Sequence, residues 1–391
     1  MATTIGAFGA LFATTFIFLT GSGLLNTLLS TRMAIEGFST ATAGIVLSCY
    51  FLGLSIGFFV CQRLIQHVGH IRAFTVFSAT ATAAILLHGL YLSAWVWAAL
   101  RLFSGIAIFG LFMVIESWLN ECTASHLRGR VFSIYMTLTY LGIGVGQQLL
   151  NIADIRNNEL FIITGIIFAL CLVPVSATEG VHPNLPETKP YHFLSIFRRS
   201  PLGMLGCMAA GLTNSAFYAL MPILCNRIGM SLSQLSWIMS ITVFCGLAAQ
   251  WVVGSLSDRF DRTLVLSAFA TAMAVFSALM FINGDTAFPT MLVQMGLFGA
   301  MMFAVYPVSV ARAHDIFGGQ DAVAVSAALL FAYSIGASLS PVLASGVMTL
   351  LNTPLGLFAF WCLINAGLAG AAIYLRKREK IEIVPVTEQV A

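Results

Sequence analysis

Gly254-Ser255-Leu256-Ser257-Asp258-Arg259-Phe260-Asp261-Arg262 crowds four charges between two apolar runs, at about 234–256 and 263–283. At about 1.5 Å per helical residue, either run is long enough to cross a hydrocarbon layer of about 30 Å. A polar elbow between two such runs reads as a membrane hairpin turning at the lipid surface.

The rest of the chain repeats this pattern. Apolar runs at about 6–31, 41–62, 73–92, 95–120, 131–152 and 159–177 predict six helices, and a second set falls at about 202–226, 234–256, 263–283, 287–313, 322–350 and 355–375. The fold class expected is an all-α membrane protein with twelve transmembrane helices in two six-helix bundles. We divide it as 1–177, a cytoplasmic linker at 178–201 with four prolines and Arg198-Arg199, 202–375, and a cytoplasmic tail at 376–391. The first apolar run follows an uncharged start and reads as a retained span, not a signal peptide.

Composition excludes several classes. Of 391 residues 59% are hydrophobic and 8% charged, against roughly 25% charged in a soluble domain, so a soluble enzyme is not expected. The net charge of +3 is scattered, with no basic block to track nucleic acid. The eight cysteines sit mostly in apolar runs without metal-ligand spacing, and no P-loop lysine motif appears, so neither a metal nor a nucleotide cofactor is expected.

Placing the N-terminus inside assigns fourteen of the eighteen Lys and Arg residues to cytoplasmic segments, the distribution that sets membrane topology. Both termini are therefore expected in the cytoplasm, in the inner membrane. The halves also resemble one another. Arg32, Gly37 and Ser39 at the first hairpin match Arg227, Gly229 and Ser231 at the start of the second half, with the serine suited to cap the next helix. Gly57 and Gly254 suggest a further match, each before a basic turn.

The 254–262 turn resembles the G-x-x-x-D-R loop signature of the major facilitator superfamily. The corresponding first-half turn, Gln66-His67-Val68-Gly69-His70-Ile71-Arg72, keeps the glycine and the terminal arginine but has no Asp. Several segments resemble the YcaD-like branch of that superfamily: Gly69 to Phe74, Glu116-Ser117-Trp118-Leu119-Asn120-Glu121, Arg128-Gly129-Arg130, Arg199 to Gly203 and Leu256 to Arg262. The resemblance spans nearly the whole chain. It implies the major facilitator fold, alternating access and transport of a small-molecule substrate. It also implies a cytoplasmic gate built from Gly254, Asp258, Arg259 and Arg262 with Gly69 and Arg72, in which the glycine allows close helix approach. The alternative reading of those charges is that they only set topology and cap helices.

Arg101 is the one basic residue deep inside a predicted span, and Arg101 to Gly105 resembles the superfamily's span-4 arginine motif. The resemblance implies proton coupling or binding of an anionic group; an arginine snorkelling outward between Trp95 and Trp97 is the competing reading. His88, at similar depth, reads as a core histidine bonded to a carbonyl. Glu116 is the one carboxylate within the apolar part of a span. Fifteen residues from Arg101, it lies about 22 Å along the helix, so the two cannot touch. It is either a proton carrier or a structural acid paired with Arg63, Arg72, Arg128 or Arg130.

Polar residues at helical spacing outline a cavity: Tyr140, Gly144, Gln147 and Asn151 in span 5, and Gly211, Asn214 and Tyr218 in span 7. Asn26, Gln250, Gln294, Tyr306 and Tyr333 add isolated donors and acceptors. Such a neutral, aromatic set suits an amphipathic organic solute better than a highly charged one. The reading is a proton-coupled secondary transporter, export favoured, acting as a monomer among membrane lipids. The alternative is a lipid or lysolipid transporter using the lateral groove between the bundles.

Overall fold

The computed structural model describes residues 2–123, 127–176, 193–317 and 322–376, and the side chains of these except at 2–8, 120–122, 128–130, 258 and 322–324. All regular structure among the described residues is helical. The helices of the first half are α1 (Ala2–Ile35), α2 (Thr40–Val68), α3 (His70–Leu90), α4 (Ala94–Cys122), α5 (Arg128–Gln148), α6 (Glu159–Leu170) and α7 (Leu172–Ser176). A short α8 (Phe193–Arg199) precedes α9 (Pro201–Arg227), α10 (Leu232–Arg259), α11 (Arg262–Asn283), α12 (Phe288–Phe317), α13 (Ala322–Leu350) and α14 (Gly356–Leu375). Together α6 and α7 make one span broken at Cys171, where Pro174 removes the N–H that would bind the carbonyl four residues back.

Eleven helical stretches among the described residues are long and apolar enough to cross a membrane. The expected span missing from that set is α5, which carries Arg128, Arg130, four glycines, Gln147 and Gln148. It is held by packing against α1 and α10 rather than by its own apolarity.

The two halves are built by the same local devices. At the end of α1, Gly37 takes a left-handed φ of 75°, and Phe38 N donates back to Met33 O at 3.0 Å. At the end of α9, Gly229 has φ 79° and Met230 N donates to Cys225 O at 3.0 Å, closing the same backbone motif. The following helix is then capped by serine in both cases: Ser39 accepts from Thr42 N at 3.1 Å, and Ser231 from Gln234 N at 3.2 Å.

Helix crossings repeat as well. A Cβ on Gly105 of α4 would stand 2.1 Å from Tyr50 O of α2, and one on Gly299 of α12 would stand 2.3 Å from Thr242 O of α10. Likewise Gly146 of α5 meets Thr20 O of α1, and Gly336 of α13 meets Met208 O of α9, each at 2.2 Å. Backbones approach this closely only where no side chain intervenes. The Gly57–Gly254 match does not hold in packing: a Cβ at Gly57 would strike Phe109 at 2.8 Å, whereas at Gly254 it meets nothing within 4 Å.

Peripheral pairs α3–α6 and α11–α14 flank the molecule, and the halves meet along α2–α13, α5–α10 and α1–α9. Alternation of the helices defines two ends. One carries the Gly37 and Gly229 turns; the other carries Gly69, Asp261 and α8.

Candidate functional site

Arg101 lies two turns into α4, about 10 Å along the axis from Ala94. It does not snorkel: it is 2% exposed, Trp97 is buried beside His88, and Trp95 stands 82% exposed away from it. Its Nη2 donates to Asn26 Oδ1 on α1 at 3.0 Å, and its Cζ sits 4.1 Å from the centroid of the Tyr50 ring on α2. Its Nε and Nη1 have no hydrogen-bond partner. No carboxylate among the described residues pairs with it. A desolvated ring face is worth about 2 kcal/mol to a cation. That does not replace a counter-charge. His88 is a core residue whose Nδ1 donates to Ala84 O at 2.6 Å.

Tyr50 also stands within electrostatic range of Tyr333, across the seam between the halves. On that side the Tyr333 ring meets Tyr306 edge-on at 5.2 Å, and Asn214, 7% exposed, faces the Tyr333 hydroxyl while its Oδ1 stays unpartnered. Phe303 of α12 joins both halves, edge-on to Tyr140 of α5 at 5.4 Å and tilted against Tyr218 of α9 at 6.4 Å. Gln250 Nε2 donates to the Tyr140 hydroxyl and to Phe303 O, both at 3.3 Å. The result is a mid-depth group of phenols from α2, α5, α9, α12 and α13, with Arg101 on one side.

Toward the Gly69/Asp261 end, Glu116 accepts the Tyr135 hydroxyl at 2.9 Å and lies within electrostatic range of Tyr306. Its side chain is solvent-accessible in this state. No ion pair joins it to Arg63 or Arg72, and the side chains of Arg128 and Arg130 lie outside the described residues.

The remaining expected cavity residues are placed elsewhere. Gln147 is fully buried against α1, where Thr27 Oγ1 donates to its Oε1 at 2.5 Å. Asn151 lies in a one-turn 3₁₀ segment after α5 and donates to Ser236 Oγ of α10 at 2.9 Å. Gln294 is half-buried, twelve residues or about 18 Å along α12 from Tyr306.

Asn151 belongs to a clasp that the sequence did not disclose. Gln148 Nε2 donates to Ser240 Oγ at 2.8 Å and to Ser236 O at 3.2 Å, while Ser240 Oγ donates to Gly144 O at 2.8 Å. Ser55 and Ser338 meet across α2 and α13 at 3.3 Å, and Gly44 packs on Ser345 and Pro341. The α5–α10 bonds and the Gly44 contact close the Gly37/Gly229 end, while the Ser55–Ser338 contact lies near the middle of α2.

The expected gate residues sit at the other end, where the halves diverge. Gly254 has open space beside it, and Gly69 ends α2 at φ 83° with no packed atom within 4 Å of an added Cβ. The expected close approach at Gly254 is thus not made in this state. Arg72 and Arg259 are exposed, and the Asp258 side chain lies outside the described residues. Arg262 donates to Asp315 Oδ1 at 2.5 Å and to Ala311 O at 2.8 Å, which ties α11 to α12 within one half. Asp261 caps α11 by accepting from Thr263 N at 2.7 Å. Partial burial pushes its carboxyl up, but the N–H bonds from Thr263 and Leu264 and the nearby Arg312 charge prevail and hold it below the ordinary value.

Two related bundles, closed against each other at one end and divergent at the other around a mid-depth polar group, define the architecture of an alternating-access membrane transporter. The comparisons agree. The Major Facilitator Superfamily model matches residues 11–233 and 203–390, and the chain belongs to that superfamily. It is 31% identical over 321 residues to the MFS-type transporter YcaD of Escherichia fergusonii, covering 81% of this chain and 82% of that one. To YcaD of Salmonella newport it is 30% identical over 333 residues, covering 83% and 84%. In fold it is similar to the nucleoside transporter NupG, with a TM-score of 0.79 at 12% identity over 96% of this chain and 100% of that one. It is also similar to a bacterial homologue of the human lysosomal transporter Spinster in an inward-facing, occupied conformation, with a TM-score of 0.72 at 14% identity over 95% and 96%. At such identities these structures speak to the fold alone.

Proposed function

We propose that the chain moves a small amphipathic organic solute across the inner membrane by rocking 1–177 against 202–375 through the 178–201 linker. The observation that carries this reading is the axial order of the polar groups. A hydrogen-bonded clasp closes one end, Arg101 and the phenols lie at mid-depth, and an accessible Glu116 stands toward the open end.

With both termini cytoplasmic, the open end faces the cytoplasm. Arg101 anchors the solute through Asn214, Tyr218, Tyr306 and Tyr333 opposite, and Glu116 carries the coupled proton, since it is accessible from that end and its described partner is neutral Tyr135. Gly254, Asp258, Arg259 and Arg262 with Gly69 and Arg72 form the cytoplasmic gate when the divergent ends come together. The 376–391 tail stays cytoplasmic, a single chain suffices, and export is the direction favoured by the aromatic lining.

The test is transport in proteoliposomes under an imposed proton gradient. A solute of this class should move uphill only while the gradient lasts, and should carry protons with it. Solute movement indifferent to the gradient would refute proton coupling, and movement of none among a broad panel of amphipathic solutes would refute the reading itself.

A further inference from the structure

Arg101 is a buried cation whose electrostatic needs are unmet within the protein. It is 2% exposed, holds one amide oxygen and one ring face, and leaves Nε and Nη1 without acceptors. Breaking or withholding a partner from a buried charge is expensive, so such a site gains most from a ligand that brings both a charge and acceptor atoms. The ligand chemistry that supplies both is an oxyanion, and a carboxylate matches the planar guanidinium.

The surroundings restrict the rest of the solute. Arg101 has no second described cation beside it, and the mid-depth group beyond Tyr50 consists of phenols and Phe303, not charges. One positive charge in such a setting selects a monoanion. Glu116, about 22 Å away along α4, is too far to pair with any part of a small solute held at Arg101. The same distance excludes one small zwitterion from satisfying both residues. Tyr50, Tyr140, Tyr218, Tyr306, Tyr333 and Phe303 present ring faces and edges on a scale that suits a flat aromatic body.

One face of the Arg101 guanidinium is covered by an aromatic ring. Tyr50 covers the guanidinium at 4.1 Å and also lies within electrostatic range of Tyr333 in the other half. It therefore competes with a ligand for the same cation.

We infer that the solute is an aromatic monocarboxylate whose carboxylate is received by Arg101, and that Tyr50 is the shutter over Arg101, yielding the guanidinium to the ligand. The inference rests on the transport reading above and narrows its substrate class. Tyr50 acts as a specificity-determining residue: its ring favours an aromatic replacement for itself, while an aliphatic acid cannot replace the lost ring contact.

The experiment uses the full chain in nanodiscs, with benzoate, phenylacetate, benzamide, phthalate and cyclohexanecarboxylate as probes for thermal stabilisation and for competition in transport. Benzoate or phenylacetate should bind about tenfold or more tightly than benzamide and phthalate, because a charged hydrogen-bonded pair is lost in the first and an unmatched charge is added in the second. Arg101→Gln should remove that preference, and Arg101→Lys should keep the charge preference at lower affinity. Tyr50→Leu should raise affinity for cyclohexanecarboxylate and lower the aromatic-to-aliphatic ratio, a change in selectivity that a purely structural role would not produce. Equal binding of benzoate and benzamide, or an unchanged preference in Arg101→Gln, would overturn the inference while leaving transport of another solute intact. Stabilisation by an anionic lysolipid in mixed vesicles but by none of the aromatic acids would likewise overturn it, in favour of a lipid phosphate at Arg101. A Tyr50→Leu protein with wild-type selectivity would remove the shutter role.

Discussion

Tyr135 of α5 donates its hydroxyl to Glu116 Oε1 of α4 at 2.9 Å, so among the described residues the carboxylate inside the membrane span leans on a neutral donor. An acid held this way can take up a proton without giving up an ion pair, whereas an acid locked to arginine cannot. Glu116→Gln keeps the size and the acceptor for Tyr135 and removes the titration. The variant should retain solute exchange at equal concentrations and lose uphill transport driven by a proton gradient. Tyr135→Phe, which leaves the carboxylate in place, should slow transport and keep it coupled. Counterflow and gradient-driven uptake in the same vesicles separate these outcomes.

The clasp at the Gly37/Gly229 end gives a second prediction. Asn151 Nδ2 and Ser236 Oγ stand 2.9 Å apart on opposite halves, so a paired-cysteine variant tests whether these helices part during the cycle. Asn151→Cys with Ser236→Cys should cross-link on oxidation, stop turnover, and recover on reduction. Solute added from the open end should still protect or stabilise the oxidised protein, because that end stays free. Full transport by the oxidised form would mean that these helices need not part during the cycle.

The architecture was legible because its signals are local. Apolar length, the Gly37–Ser39 and Gly229–Ser231 turns and the clustering of Lys and Arg each follow from a few adjacent residues, and Arg101 and Glu116 stand out against an apolar run. The site was read less fully because helical spacing gives relative angles and no absolute rotation. Tyr140 and Gln147 share one face of α5, yet the helix crosses its neighbours obliquely. Tyr140 meets Phe303 at mid-depth, while Gln147, two turns on, meets Thr27 of α1. Gln148, one residue further round, reaches Ser240 and makes the clasp. Tyr50 was overlooked between Cys49 and Phe51, where nothing in the sequence marks it; its role comes from the close α2–α4 crossing that Gly105 permits.

Asp261 supplies a prediction about pH. Its carboxyl is held below the ordinary value by the α11 N-terminal N–H groups and Arg312. A group depressed in the folded state contributes stability in full above the unfolded carboxylate range, near pH 4, and loses it as pH falls through the folded value. Asp261→Ala should cost about 1 kcal/mol at pH 7, as N-cap removal typically does. The difference from wild type should shrink as pH drops below about 4. Thermal unfolding midpoints of the two proteins across pH 3–8 test the sign; a gap that widened in acid would contradict it.

Two glycines separate packing from motion. At Gly105 an added Cβ would stand 2.1 Å from the Tyr50 carbonyl, so Gly105→Ala must push α2 from α4 and disturb the ring over Arg101. Overpacking of this kind costs about 1–3 kcal/mol, and the protein should lose both stability and solute affinity. At Gly254 nothing lies within 4 Å, and Ala there also favours the helix by about 1 kcal/mol. Gly254→Ala should therefore be at least as stable as wild type. Gly254→Trp should also fold, since the space beside it is open in this state, but the ring would occupy the gap that the divergent ends must close. That variant should bind solute from the open end and fail to turn over. A Gly254→Trp protein that transports at the wild-type rate would show that closure at that end does not bring another helix against residue 254.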